Sequence, residues 1–275
     1  MNRNSIIAIC MAALLTGCAT EFNSVYKSQD NTYKYEYAKQ CFAQGKFSNA
    51  ITLLSEVVTL HKGRENAQES LYMLGMAQYS NRDYEAASAT FRKYFSSYPK
   101  GEFAEQASFY IGQSLFQSMP DPRLDQSSTI GAINAYQNFM DYYPDSPLRE
   151  KAQKQLFLLQ DNLVMKEYLS AELYYNLGGY FGNINSNTES NYESCIITAQ
   201  NALKAYPYTS MREQFSLLIM KSKFELAQNS SEERRLDRYR DAEDECYGFL
   251  NEFPESENVK MAEKFIAKCK KITKD

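Results

Sequence analysis

A repeat of 37 residues runs through the first half of this chain and constrains its fold more than any other feature of the sequence. Three series of residues recur at that interval: Ala38, Gly75 and Gly112; Tyr35, Tyr72 and Phe109; and Phe42, Tyr79 and Phe116. Within each period, apolar residues return at every third or fourth position, as on one face of an α-helix, and do not alternate as in a strand. A period of this length predicts a stack of small helical units, each burying its apolar face against its neighbours.

The second period matches a known helical repeat. Its residues Leu74-Gly75, Ala87, Phe91 and Tyr98-Pro99 have the spacing of the tetratricopeptide pattern. In that pattern Gly75 and Ala87 are small where two antiparallel helices touch, and Phe91 fills the groove between them. Pro99 ends the second helix because its ring cannot continue the hydrogen-bond ladder.

Similar endings occur later in the chain, and they set the number of units. A proline follows an aromatic residue at Tyr143-Pro144, Tyr206-Pro207 and Phe253-Pro254, and a Ser or Thr comes two residues after each proline. Such a hydroxyl residue is a common cap for the next helix. Twelve residues before these prolines lie Ala132, Cys195 and Ala242, as Ala87 lies before Pro99. The sequence therefore predicts an all-α, tetratricopeptide-like helical-repeat solenoid of about five helix-turn-helix units.

Three insertions and a long uninterrupted segment modify the period. We expect loops near residues 119–123, 178–191 and 228–235, where breaker and polar residues accumulate. Residues 148–175 contain no breaker and predict one long helix, or two nearly continuous ones, as a hinge or rigid connector. Residues 259–267 form an amphipathic segment that suits a capping helix; the alternative is a helix on a membrane surface.

The N-terminus has the features of a bacterial lipoprotein leader. Arg3 precedes a ten-residue apolar run, and Leu15-Thr16-Gly17-Cys18 follows directly and resembles the lipobox. The run is too short to cross a bilayer as a helix. The resemblance implies cleavage after Gly17 and acylation of Cys18, and Ala19 resembles the residue that sends lipoproteins to the outer membrane, here on its periplasmic face. An ordinary secretory leader is the alternative.

Composition excludes several classes of function. The net charge is −4 and no basic stripe is present, which argues against a nucleic-acid partner. No Cys/His ligand spacing predicts a metal site, and no fingerprint of an enzyme or of a cofactor is present. His61 is the only histidine, in a predicted turn. We therefore expect no catalytic activity, no metal and no cofactor, apart from the lipid on Cys18. Four further cysteines are predicted to be buried free thiols, with disulfides as the alternative: Cys41, Cys195, Cys246 and Cys269.

Aromatic residues mark the candidate binding site. With Gly75 at the eighth position of its repeat, the groove-facing fifth and twelfth positions of repeats one to three are all aromatic: Tyr35, Phe42, Tyr72, Tyr79, Phe109 and Phe116. First helices of stacked repeats line a continuous groove. Packing between neighbouring helices is an equal alternative for each single ring. As a set they predict a groove for an extended or helical peptide with apolar side chains.

A lipobox, a short tether and five such repeats resemble the BamD family, the lipoproteins of the outer-membrane β-barrel assembly machine. The resemblance implies a non-enzymatic assembly factor whose first three repeats bind unfolded β-barrel precursors. It also implies that the later repeats dock on a BamA-like barrel subunit, together with other lipoproteins of the machine. The chain then divides into a signal peptide (1–17), a lipid-anchored tether (18–31), repeats one to three (32–147), and repeats four and five with their connecting and capping helices (148–275).

Two other classes of function compete with this interpretation. The nearer one is another envelope tetratricopeptide scaffold lipoprotein, of cell-division or pilus-secretin assembly, which would share the leader and the repeats. The more distant one is a glycan-binding or carbohydrate-active lipoprotein. Against it, the chain has no tryptophan to form a sugar platform.

Overall fold

The computed structural model describes residues 21–60, 66–178 and 190–273, and every regular element among them is an α-helix. The helices are α1 (residues 21–27), α2 (Asn31–Ala43), α3 (Phe47–Leu60), α4 (Ala67–Ser80), α5 (Tyr84–Ser97), α6 (Ala104–Gln117), α7 (Ser127–Tyr142), α8 (Arg149–Leu177), α9 (Asn191–Ala205), α10 (Arg212–Gln228), α11 (Glu232–Glu252) and α12 (Val259–Thr273). Successive helices pack on one another. The prediction of an all-α, tetratricopeptide-like repeat solenoid is confirmed.

The chain forms two compact units. The first contains the residues up to Pro120 and those from Gln126 to Leu159, and the second contains Asp121–Asp125 and the residues from Gln160 onward. The pairs α2/α3, α4/α5 and α6/α7 belong to the first unit. The second unit holds α9, the pair α10/α11, and α12. Helix α8 is one continuous helix of 29 residues, and it contributes to the core of each unit.

A close contact between a small residue and an aromatic ring joins the two helices of a repeat. A Cβ atom placed on Gly75 would lie 2.7 Å from Cε1 of Phe91, and one placed on Gly112 would lie 2.7 Å from Cδ1 of Tyr136. Both rings are fully buried. The predicted small residues of the second helices are all 0 % exposed: Ala87, Ala132, Cys195 and Ala242. The predicted close approach of the paired helices is therefore confirmed.

The junctions between repeats share one backbone geometry. Four helices end on an aromatic residue with φ near −130° and ψ between 62° and 67°: Tyr98, Tyr143, Tyr206 and Phe253. The residue before a proline avoids the helical region, because the proline ring crowds it. After three of the prolines, the hydroxyl oxygens of Ser146, Thr209 and Ser256 accept a hydrogen bond from the N–H two residues on. The predicted stops are thus observed, but the predicted caps are wrong: the three hydroxyl groups close a turn just before the next helix, and the N-cap residue of α10 is Met211, which makes no side-chain cap hydrogen bond.

One predicted loop is wrong. The sequence predicts a loop at residues 228–235, but α10 ends at Gln228 and α11 begins at Glu232. Ser231 is the N-cap residue, and Glu232 and Glu233 lie in the first turn, where the helix dipole favours acidic side chains. The inserted residues therefore lengthen α11. Residues 119–123 are non-helical as predicted, and the interior of the loop at 178–191 lies outside the described residues.

The terminal helices complete the cores of the two units. The described part of the predicted tether at 18–31 contains α1, whose Val25 is fully buried in the core of repeat one. At the other end, α12 buries Ala262, Ile266 and Cys269 against α11. This packing occupies the apolar face of α12 and favours the capping helix over the membrane-surface helix.

Replacing Gly75 with Ala tests the close contact. We expect Gly75→Ala to lower the free energy of unfolding by about 1–3 kcal/mol, because the new methyl group forces Phe91 out of its position. Gly248→Ala is the matched control: beyond the chain neighbours and backbone of its own helix, this glycine has no atom within 4 Å of the Cβ position. There the substitution should raise stability by up to about 1 kcal/mol. Urea unfolding followed by circular dichroism measures both, and equal effects would contradict the close contact.

Replacing Arg82 with Gly tests the turn between α4 and α5. Gly45 has a φ of 72°, and 37 residues later Arg82 has a φ of 65°, a left-handed conformation that costs a non-glycine residue about 1–2 kcal/mol. We therefore expect Arg82→Gly to raise the free energy of unfolding by about 1 kcal/mol, and with it the melting temperature. Arg82→Ala removes the same exposed side chain but keeps the strain, so it should not stabilise the protein. A gain from both variants would assign the effect to the side chain instead.

Candidate functional site

The six aromatic residues predicted to line a groove lie on α2, α4 and α6 of the first unit. They divide into two groups by their depth in the structure. The fifth-position rings are Tyr35, Tyr72 and Phe109, and the twelfth-position rings are Phe42, Tyr79 and Phe116. Both groups lie on the helix face that carries the small eighth-position residue. The fifth position lies three residues before it and the twelfth lies four residues after it, and residues three or four apart share one face of a helix.

The fifth-position rings contribute mainly to the core. Tyr35 is 1 % exposed and Phe109 is 2 % exposed. Tyr72 is half-buried, and its ring stacks on Phe103 with centroids 4.5 Å apart. Burial raises the pKa of Tyr72 to about 12. Tyr35 and Phe109 therefore offer almost no surface to a ligand, and Tyr72 offers part of one ring.

The twelfth-position rings are half-buried at the end of the repeat where its two helices are joined. Phe42 packs on Phe47 at 5.6 Å between centroids, and Tyr79 packs on Tyr84 at 5.5 Å, so that each pair bridges a turn. Phe116 packs on the core of repeat three. These three rings, together with part of the Tyr72 ring, are the predicted site residues that the structure leaves accessible.

Around Tyr79 the structure adds residues that the sequence did not single out. The ring of Tyr110 on α6 packs on the ring of Tyr79, with the two centroids 5.1 Å apart. Gln113 and Gln117 lie within hydrogen-bonding reach of the Tyr79 hydroxyl. Burial, reinforced by Tyr110 and Tyr84, raises the pKa of Tyr79, although the two glutamines oppose this rise. Only the register between α4 and α6 brings these side chains together, and the 37-residue series does not mark them.

Gln113 carries an unsatisfied acceptor at this site. Its side chain is 3 % exposed, and its Oε1 accepts no hydrogen bond within the described part of the chain. A buried amide oxygen without a donor costs about 1–3 kcal/mol. Such a cost in a native structure calls for an explanation, and here the amide lies within hydrogen-bonding reach of the Tyr79 hydroxyl and positions its ring. We call Tyr79, Tyr110 and Gln113, with Gln117, the Tyr79 site.

The second unit presents a different surface. Along the last turns of α8, Leu173 is 57 % exposed, and Tyr174 and Leu177 are also exposed. Beside them lies a cleft of about 450 Å³, whose lining includes the cationic Arg123 and Lys166 and the acidic Glu172. An exposed apolar strip next to cationic side chains suits a protein partner better than a metal or a nucleophile.

The described residues contain no candidate metal site. No group of three His, Cys, Asp or Glu side chains there is arranged to hold a metal ion. Cys41, Cys195, Cys246 and Cys269 are buried free thiols, as predicted, and burial raises the pKa of Cys246 to about 12. No described helix is long and apolar enough to span a membrane. Cys18 and His61 lie outside the described residues.

Comparison with known proteins places the chain in a family. The model of YfiO, an outer membrane lipoprotein family, matches residues 27–189, which include repeats one to three and α8. The chain is also 25 % identical over 177 residues to the outer membrane protein assembly factor BamD of Caulobacter vibrioides (strain ATCC 19089 / CIP 103742 / CB 15). That match covers 63 % of this chain and 58 % of the relative, so the chain spans less than two thirds of the relative's length.

The resemblance to the BamD family inferred from the repeats is confirmed, although the family match is shorter than the sequence suggested. Helices α9 to α12 lie beyond the matched residues. The matched part contains the contacts of Gly75 and Gly112 and the Tyr79 site. Because this match extends over more than half of the chain, the protein belongs to the YfiO family of outer membrane lipoproteins.

Proposed function

We propose that this protein is a non-enzymatic assembly factor for outer-membrane proteins, anchored by a lipid on Cys18 to the periplasmic face of the outer membrane. Membership of an outer membrane lipoprotein family supports the location. The name of the relative, an outer membrane protein assembly factor, supports the role. The proposal includes no cofactor or metal.

The Tyr79 site carries the proposal for the first unit. It receives the end of an unfolded β-barrel precursor, as the BamD resemblance implies, because such ends carry alternating aromatic residues. In an extended peptide, side chains two positions apart point the same way, about 6–7 Å from one another. Tyr79 and Tyr110 provide ring surfaces for them at little cost in side-chain entropy. The buried amide of Gln113 lies within hydrogen-bonding reach of the Tyr79 hydroxyl and positions that ring.

The second unit docks on a BamA-like barrel subunit in this proposal, with other lipoproteins of the machine as further partners. The exposed strip of Leu173, Tyr174 and Leu177 supports this role, since the fully buried centre of a protein interface is more apolar than the rest of the surface and is enriched in tyrosine. Tyr208 supports it as well: it is 99 % exposed in the turn between α9 and α10, where the other repeats carry Lys100, Asp145 and Glu255.

Peptide binding tests the Tyr79 site. A fluorescent peptide that ends in alternating aromatic residues should bind the wild-type protein, and Gln113→Met should raise its Kd about tenfold, because the Tyr79 ring loses the amide that positions it. The same variant should be as stable as the wild type or more stable, because it removes an unsatisfied buried oxygen. Tyr79→Ala should also weaken binding, and fluorescence anisotropy measures each Kd.

Tyr142→Ala is the matched control for that experiment. Tyr142 is an exposed tyrosine of the first unit outside the Tyr79 site, so its removal should leave the Kd unchanged. An unchanged Kd for Gln113→Met and Tyr79→Ala would exclude the Tyr79 site from peptide binding. A loss of affinity accompanied by a lower melting temperature for Gln113→Met would indicate a structural role for the amide.

Co-purification tests the partners and separates this proposal from the nearest alternative. From solubilised outer membranes, the full chain should recover a BamA-like barrel protein, and Leu173→Asp with Tyr174→Ser should reduce that recovery. Ile130→Asp, at an exposed apolar residue of the first unit, should not. Recovery of a secretin or of a peptidoglycan synthase in place of a barrel subunit would favour a scaffold of pilus-secretin assembly or of cell division.

A further inference from the structure

Helix α12 carries a stripe of lysine side chains on one face. Its four members recur at intervals of four, four and three residues, and all are exposed: Lys260, Lys264, Lys268 and Lys271. Residues at such intervals share one face of a helix. Ala262, Ile266 and Cys269 are buried in the core of the second unit, and at 3.6 residues per turn they lie about 180° from the lysines. The lysine stripe therefore points away from the core.

The lysine stripe concentrates positive charge in an acidic protein. The chain has a net charge of −4, whereas α12 contains five lysines and one acidic residue, Glu263, and so carries +4. The rest of the chain accordingly carries −8. Each of the other described helices has a net charge of +1 or less. The positive charge of this protein is thus segregated on its last helix.

Contacts within the protein do not account for the lysine stripe. Among the residues that the structure describes, no ion pair joins any of the four ammonium groups to a carboxylate. Lys268 Nζ lies 5.4 Å from the centre of the Phe224 ring, which orients this side chain without neutralising its charge. The helix dipole favours Lys271 in the last turn but disfavours Lys260 in the first. The packing of the second unit therefore does not require these charges.

The exposed face of α12 suits anionic lipid headgroups better than a protein. None of its exposed side chains is a large apolar one, whereas the centre of a protein interface is apolar and depleted in lysine. A lysine is a point charge on a flexible stem, so it can follow a mobile phosphate group. Clusters of four or more such residues on an amphipathic helix are typical of binding to anionic lipids. Because α11 covers the apolar face of α12, contact with a bilayer stays in the headgroup layer.

We propose that the lysine stripe of α12 binds the anionic headgroups of the bilayer to which the protein is anchored, an inference that rests on the proposed anchor at Cys18. The lipid on Cys18 holds the N-terminal end of the chain, and the lysine stripe gives the second unit a contact of its own with the lipid surface. The four lysines span about 17 Å along α12, so they reach several headgroup phosphates at once.

Quenching by labelled headgroups tests the proposal on the full acylated chain. A dye is attached at Ala267→Cys, an exposed position between Lys264 and Lys268, in vesicles with a fixed fraction of nitroxide-labelled lipid. The native thiols of the described residues are buried, and wild type treated with the same dye controls for them. Quenching should be at least about threefold stronger with ~30 % phosphatidylglycerol than with phosphatidylcholine alone, because only anionic lipid gives a negative surface potential. Salt at about 1 M, where the Debye length is ~3 Å, should abolish the difference.

Two variants with the same change of net charge isolate the lysine stripe. The first should lose the lipid dependence of quenching at residue 267, and it combines Lys260→Gln, Lys264→Gln, Lys268→Gln and Lys271→Gln. The control should keep that dependence, and it changes four exposed lysines of the first unit: Lys93→Gln, Lys100→Gln, Lys151→Gln and Lys154→Gln. Helix content should be unchanged in both, since lysine and glutamine have similar helix propensities. Loss of the dependence in both variants, or in neither, would overturn the proposal.

Two measurements distinguish failure of this inference from failure of the proposed anchor. Intact mass spectrometry reports the acyl chains on Cys18, and vesicle flotation reports anchoring. Equal quenching in the two kinds of vesicle, by protein that floats and carries the acyl chains, would overturn only the role of the lysine stripe. Crosslinking from residue 267 to a protein of the outer membrane would then identify a protein as its partner. Protein without acyl chains on Cys18 would overturn the proposed anchor and this inference with it.

Discussion

The contact between a small residue on the first helix of a repeat and a ring on the second determines how the helices of the first unit pack and which side chains remain accessible. Gly75 against Phe91 and Gly112 against Tyr136 bring the paired helices so close that neither glycine could carry a Cβ without displacing its ring. The fifth-position residue lies one turn before the glycine and enters the same interface. The twelfth-position residue lies at the end of the pair, where solvent reaches it, and of the fifth-position rings only Tyr72 remains partly accessible.

Two energetic costs lie near one another in the first unit. Arg82 adopts a left-handed conformation and its N–H donates to the carbonyl of Tyr79. Gln113, whose buried oxygen has no donor in the described chain, lies within reach of the Tyr79 hydroxyl. A folded protein retains such costs where function requires them more readily than elsewhere. Their proximity to an accessible ring pair is what distinguishes the Tyr79 site from the other half-buried aromatic contacts of the repeats.

The second unit is held together differently. Its helices pack through Ala171, Cys195 and Cys246, with ion pairs at the edges of the core. Burial lowers the pKa of Lys223, but hydrogen bonds from its ammonium group to Glu245 and Asp241 outweigh this effect and raise it. These charges join α10 to α11. The exposed surfaces of the units differ in their chemistry: accessible rings at the Tyr79 site in the first, and an exposed apolar strip beside charged residues in the second.

The sequence by itself determined the class of fold, the number of repeats, the helix stops at the prolines and the six aromatic positions, because helical periodicity and proline sterics act over a few residues. Only the tertiary structure decided which of those rings are accessible, since burial depends on the neighbouring helix. It also placed Tyr110 and Gln113 beside Tyr79, joined α1 to repeat one, and showed residues 232–235 to be helical. The accessible rings, the neighbours of Tyr79 and the position of α1 depend on contacts between elements that are distant in the chain. The helical residues 232–235 depend on capping within a polar segment. A 37-residue period reveals neither kind of interaction.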